Sequence, residues 1–262
     1  MSTKTQNNPQ RLTELRAKID AVDESIHTLL MQRASVIDEL ILVKGADVQT
    51  GAAFRPAREA SMMQTLASRH RGSIPLQMII HIWRDIISTF THLQANYTVH
   101  LTNEGDANRL RDMARFQFGF SVPIKNHDTS RRVFDAVTAE GNALAVIPLE
   151  GAGCWWQYLN SNAGLGIMAR LPVIGSQSPD HHAFVISPPI SDAAPYDVRC
   201  YAGTIKSADA LLGWTGGEII AISPDDSGKL HALIAISEGG TAPNNLIDIR
   251  AVGGYFVPIN ER

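Results

Sequence analysis

Arg33 and Lys44 are the first pair of side chains in this chain whose type and spacing suggest chemistry. They stand eleven residues apart. At about 100° per residue that leaves them roughly 20° apart around a helix axis and about 16 Å apart along it. Two long cations on one face at that distance can lean together over an anionic ligand about the size of one sugar ring. Arg16 lies seventeen residues before Arg33, roughly 100° away around the axis. Within one chain it cannot enter the same pocket, but it can enter the equivalent pocket of a second copy. Each cation alone has an ordinary explanation: a helix arginine is usually solvated, and a lysine near a helix C-terminus is favoured by the macrodipole. Their phasing on an apolar face is what points to a ligand.

The element that positions them is the stretch Leu12 to Gly45, with no Pro and no Gly before Gly45. Apolar residues recur at Leu12, Leu15, Ile19, Val22, Ile26, Leu29, Leu30, Val36, Ile37, Leu40 and Val43, and Arg33 interrupts them. That is helical spacing. The helix would be roughly 50 Å long, too long for one wall of a small single-chain core, so it is expected to cross a second copy of itself.

Residues 1–9 read as a disordered arm, and 46–54 as a loop of small residues. Arg55-Pro56 opens a second helix to Arg71, with Pro where its missing N–H costs nothing. A third helix is expected from Leu76 to Tyr97. Residues 10–97 therefore read as an all-helical unit of three unequal helices. From Thr98 short strands (98–102, 120–124, 143–149, 182–187) alternate with helices (107–116, 129–140), predicting a small α/β unit with a partly parallel sheet over 98–190. After a linker, residues 195–262 read as strand, short helix (207–214), two strands joined by a turn, and a last strand from Ile247, which suits a ferredoxin-like sandwich.

Composition narrows the class. A formal charge of -3 and 6% aromatic residues argue against a nucleic-acid surface. Cys154 and Cys200 show no metal-ligand spacing, a reduced, cytoplasmic style of usage. No metal or cofactor is expected. The N-terminal decapeptide lacks the apolar core of a signal peptide, and the apolar runs are far short of a membrane span.

Residues 11–97 carry, in order, LRAKIDAVD (Leu15 to Asp23), LLMQR (Leu29 to Arg33), Lys44 eleven residues on, RPARE (Arg55 to Glu59) and IWRDIIS followed by Gln94. Together these resemble the all-helical chorismate mutase family. The resemblance implies an intertwined helical homodimer that rearranges chorismate to prephenate, an isomerase of aromatic amino acid biosynthesis. By that resemblance Arg33 and the partner chain's copy of Arg16 bind the two substrate carboxylates. Lys44 and Gln94 donate to the ether oxygen as its C–O bond breaks, a role that matters most in the transition state. Glu59 holds the substrate hydroxyl, Arg55 and Arg58 add positive field, and Met63 and Phe90 complete the substrate-contacting set. Met63 stands where some members carry a second carboxylate. Gln94 donates at any pH, whereas a Glu would first have to be protonated.

The remainder resembles the C-terminal part of bifunctional chorismate mutase–prephenate dehydratases: a dehydratase domain and an ACT regulatory domain, both degenerate. NEGDAN (Asn103 to Asn108), the stretch ending in PLEG (Pro148 to Gly151) and HHAFVIS (His181 to Ser187) sit where that family has its motifs, each altered. The Pro-Ile-Glu-Asn motif ends in Gly151, His182-Ala183 replaces Thr-Arg, Asp106 replaces Thr, and Ala221 to Pro224 replaces the Glu-Ser-Arg-Pro motif of the tail. The resemblance implies a mutase whose dehydratase activity is lost. A working bifunctional enzyme, or a non-enzymatic helical dimer with a sensory domain, are the alternatives.

Overall fold

The computed structural model describes residues 8–44, 54–159, 164–175, 182–190 and 195–260. The chain divides into two compact units, residues 1–47 and 48–262.

The first unit is one helix, α1 (Pro9–Lys44), 36 residues long. It begins earlier than the periodicity alone suggests, because Asn8 caps it. The Asn8 side-chain oxygen accepts from Arg11 N at 3.2 Å, and its carbonyl accepts from Leu12 N at 3.1 Å. Pro9 then takes the first helical position, where no N–H is needed. The expected arm therefore loses Asn8 and Pro9 to the helix, and its residues 1–7 lie outside the described residues. Large apolar side chains along α1, from Leu12 to Val43, are exposed, Leu29 at 63% and Val36 at 63%.

The second unit starts with α2 (Pro56–Arg69) and α3 (Leu76–Gln94). They are the second and third of the helices expected over 10–97. They belong to the same compact unit as everything after them. The reason is their apolar stripe: Met63, Leu66, Ile80 and Ile87 close on Ile174, with Phe116 packed against the same cluster. A stripe of that width is stable only when another element covers it.

Next come β1 (Thr98–Thr102), α4 (Ala107–Phe118), β2 (Ile124–His127), α5 (Ser130–Glu140), β3 (Ala143–Pro148), β4 (Gly166–Leu171) and β5 (Ala183–Ser187). The expected strand at 120–124 is displaced. Phe120 is 79% exposed, Pro123 has no N–H to give a ladder, and pairing with β1 begins at Ile124. Asp106 and Thr129 cap α4 and α5 through their side chains. β2, β1 and β3 are parallel neighbours, and β5 and β4 continue the sheet antiparallel.

The last segment contributes β6 (Val198–Ile205), β7 (Glu218–Pro224), β8 (Leu230–Ser237) and β9 (Ile247–Tyr255). Their order β9-β6-β8-β7, all antiparallel, is the order a ferredoxin-like sheet needs. The helices of such a fold are missing. The expected helix over 207–214 is a single 3-10 turn, Ala208–Leu211, stopped by Gly213, and residues 238–246 between β8 and β9 form no helix. Nor is this a sheet of its own: β9 lies parallel to β4 at Ile167–Gly253, so nine strands make one sheet, β2-β1-β3-β5-β4-β9-β6-β8-β7. The sheet runs across the boundary expected at 190–195.

Arg170 on β4 grips Glu218 at the start of β7 with both terminal nitrogens, at 2.8 and 3.0 Å. Four strand spacings of about 4.8 Å would separate them by roughly 19 Å on a flat sheet, more than the two side chains can span. The sheet must therefore curl. Its concave cover is apolar: Trp155 and Trp156 of a 3-10 turn pack with Phe134, Phe184, Leu233 and Val252.

Candidate active site

α1 places Arg16, Arg33 and Lys44 on one continuous helix. Arg16 is exposed. Lys44 is the last helical residue, and its side chain lies outside the described residues. The remaining candidates sit on α2 and α3 of the other unit.

Arg55 holds the N-cap position of α2 and its carbonyl accepts from Glu59 N at 3.0 Å; Arg58 is exposed. Glu59, the expected hydroxyl ligand, is already engaged. Its carboxylate accepts from Arg84 Nη1 at 2.5 Å, and Arg84 Nε donates to the Gln117 carbonyl of α4 at 3.1 Å. Arg84 is only 4% exposed. Beside the pair lies a cavity of about 20 Å³, lined by Ser88, Thr91, Tyr97 and Gln117 among others, room for about one water. Burial pushes the Tyr97 hydroxyl pKa far up, and the Glu59 charge adds to it. Gln94, Arg55 and Arg58 do not line this cavity. Gln94 is half-buried and its amide donates back to Phe90 O at 3.2 Å. Met63 is a core residue, packed with Leu66, Ile80 and Ile87. Phe90 is half-buried on the same helix.

Sequence reasoning missed Arg84, although a signal was present. Arg84 follows Ile80 by four residues and precedes Ile87 by three, which puts a charge on the buried stripe of α3. A charge there requires an acidic partner, and Glu59 supplies it.

The three altered motifs of the α/β body meet in a second place. Gly105, Asp106, Arg109, Pro148, Glu150, Gly151 and His182 line one cavity of about 350 Å³. Behind it Arg170 Nε donates to His182 Nδ1 at 3.1 Å, and Arg170 Nη1 donates to the Tyr255 hydroxyl at 3.0 Å. Burial raises the Tyr255 pKa to about 12. Among the described residues no cluster of His, Cys, Asp and Glu could hold a metal ion. Both cysteines are free and buried, and burial pushes their thiol pKa values up. No helix of the described residues is long and apolar enough to cross a membrane.

The family model for chorismate mutase type II matches residues 15–95. Over those residues the chain is similar to chorismate mutase type II. Curated relatives called bifunctional chorismate mutase/prephenate dehydratase match further. The one from Stutzerimonas stutzeri is 28% identical over 146 residues, 54% of this chain and 40% of the relative. The one from Aquifex aeolicus is 29% identical over 146 residues, 54% of this chain and 39% of the relative. The matches therefore span about two fifths of those relatives. Among solved structures, a prephenate dehydratase from Streptococcus mutans is 16% identical with a TM-score of 0.37, covering 62% of this chain and 100% of that one. A structure described as GqqA, a novel type of quorum quenching acylases, is 12% identical with a TM-score of 0.39, covering 61% of this chain and 95% of that one.

Proposed function

We propose that this protein is a chorismate mutase that converts chorismate to prephenate as a homodimer, each active site built from both chains. The observation that carries the reading is the matched segment, residues 15–95, with Arg16, Arg33, Lys44 and Gln94 in place within it. The exposed apolar stripe of α1 supports the dimer, because a helix of this length keeps such a face only against a partner. Arg33 and the partner chain's copy of Arg16 take the two carboxylates and hold the substrate folded. Lys44 and Gln94 donate to the ether oxygen as charge develops there. No nucleophile, proton transfer or cofactor enters the step. Gln94 gives one amide hydrogen to Phe90 O and has the second to donate. Glu59 accepts from Arg84 with one carboxylate oxygen and has the other to accept from the substrate hydroxyl. A cytoplasmic setting suits the two reduced cysteines.

Loss of chorismate absorbance by the purified protein tests the activity, and absence of turnover would overturn it. Arg16→Ala and Arg33→Ala proteins, each inactive, are expected to regain activity when mixed and refolded, since one hybrid site carries neither lesion. A demonstrated heterodimer without activity would rule out the shared site. The names of the curated relatives favour a second reading, a bifunctional mutase–dehydratase. Phenylpyruvate formed without acid treatment would establish it; accumulation of prephenate alone would exclude it.

A further inference from the structure

The cavity beside His182 has no part in the mutase reading. It lies at the carboxyl ends of two adjacent parallel strands, β1 ending at Thr102 and β3 ending at Pro148. From β1 the chain passes through α4 to β2 on one side, and from β2 through α5 to β3 on the other. That reversal opens a crevice between the two loops, the place where open α/β sheets bind ligands.

The crevice is held open by close backbone contact. Gly105 and Gly151 have φ of +72° and +80°, and a Cβ on Gly151 would come within 2.8 Å of Gly105 Cα. A third segment is tied in by Leu149 N, which donates to His182 O at 2.9 Å. The floor is apolar, from Leu110, Met113 and Pro148. His182 is 7% exposed, and its Nδ1 accepts from the buried Arg170, so the proton of the neutral ring sits on Nε2. Arg170 is in turn fixed by Glu218.

The charge at the rim decides the ligand class. Among the described residues the charged members of the lining are Asp106, Glu150 and Arg109, a net of one negative charge with His182 neutral. The N-terminus of α4, which would otherwise attract an anion, is already satisfied by Asp106, whose Oδ1 accepts from Arg109 N at 3.1 Å. A dicarboxylate entering here meets two carboxylates and one guanidinium, whereas an ammonium group meets the reverse. We propose that this cavity binds the ammonium group of a small, otherwise apolar molecule, held by Glu150 and Asp106 over the floor of Leu110 and Met113. A simple amine and an amino acid share that chemistry; the second would also use Arg109 for its carboxylate.

Calorimetric titration of the full chain with isoamylamine, leucine and 4-methylpentanoate separates the cases, since the three share one apolar body. Isoamylamine is expected to bind, and Glu150→Gln is expected to weaken it by about tenfold without lowering the melting temperature or mutase activity. Leucine binding more tightly than the amine, and losing that advantage in Arg109→Gln, would mark the ligand as a zwitterion; leucine binding no better would mark it as a simple amine. The proposal is overturned if neither the amine nor leucine binds at millimolar concentration, if 4-methylpentanoate binds more tightly than both, or if Glu150→Gln leaves amine binding unchanged.

Discussion

α1 and α3 come from one family segment and both carry apolar stripes, yet the stripes meet different fates. On α3, Ile80 is fully buried against α2 and the loop at Ile174. On α1, Leu29 and Val36 stay exposed. Periodicity fixes that a face exists and where it points, but not what covers it. In α3 the cover is in the same chain and the face contributes to the stability of the fold. In the proposed dimer the cover of α1 is a second copy, so its contribution depends on concentration.

The largest expected effect tests this contrast. Ile80→Ala removes a fully buried side chain and should cost about 2–5 kcal/mol in chemical unfolding at any protein concentration. Leu29→Ala should cost under about 1 kcal/mol in dilute solution, with its main effect a weaker dimer by analytical ultracentrifugation. Equal, concentration-independent losses in the two variants would erase the distinction. An effect of similar size ties α2 and α3 to each other and to α4. Arg84→Met leaves the Glu59 carboxylate mostly buried and unpaired, at a cost of about 3–5 kcal/mol. Adding Glu59→Gln should recover much of it, because the uncompensated charge is gone. A double variant as unstable as the sum of the singles would mean that the two groups do not interact.

The smallest effect is one of pH, confined to the α/β body. Burial lowers the pKa of His100, which lies 2.7 Å from His127 and 3.2 Å from Glu140, itself paired with Lys125. The folded ring resists protonation while the unfolded one accepts a proton near its ordinary value. The stabilisation is therefore complete above about pH 6.5 and declines as pH falls below it. Melting temperature should drop between about pH 7.5 and about pH 5.5, and drop less in His100→Gln. An identical slope in both proteins would place the acid sensitivity elsewhere.

Local patterns are legible in the sequence, and non-local pairings are not. The caps at Asp106 and Thr129 and the apolar run of β3 announce their elements within a few residues. β4 is hidden because Arg170 interrupts a short apolar run, and its justification, Glu218, lies 48 residues away. The helix expected near Leu211 is only a turn, since Gly213, Gly216 and Gly217 come after it before β7 begins. In the candidate site, the cations of α1 can be phased from spacing alone. The engagement of Glu59 cannot, because it depends on which side of α2 faces α3.

The one-residue join between β4 and β9 has a consequence for how the protein is made. Gly253 sits at φ +111°, where a Cβ would strike Ile167 O, so only glycine lets the two strands meet. β9 also pairs with β6 along most of its length, and it is the last of the nine strands to emerge during synthesis. Until then β4 and β6 each present an open edge, and the nascent chain holds two half-sheets waiting for one keystone strand. A ribosome that stalls before Ile247 would leave both edges free to pair with those of neighbouring chains.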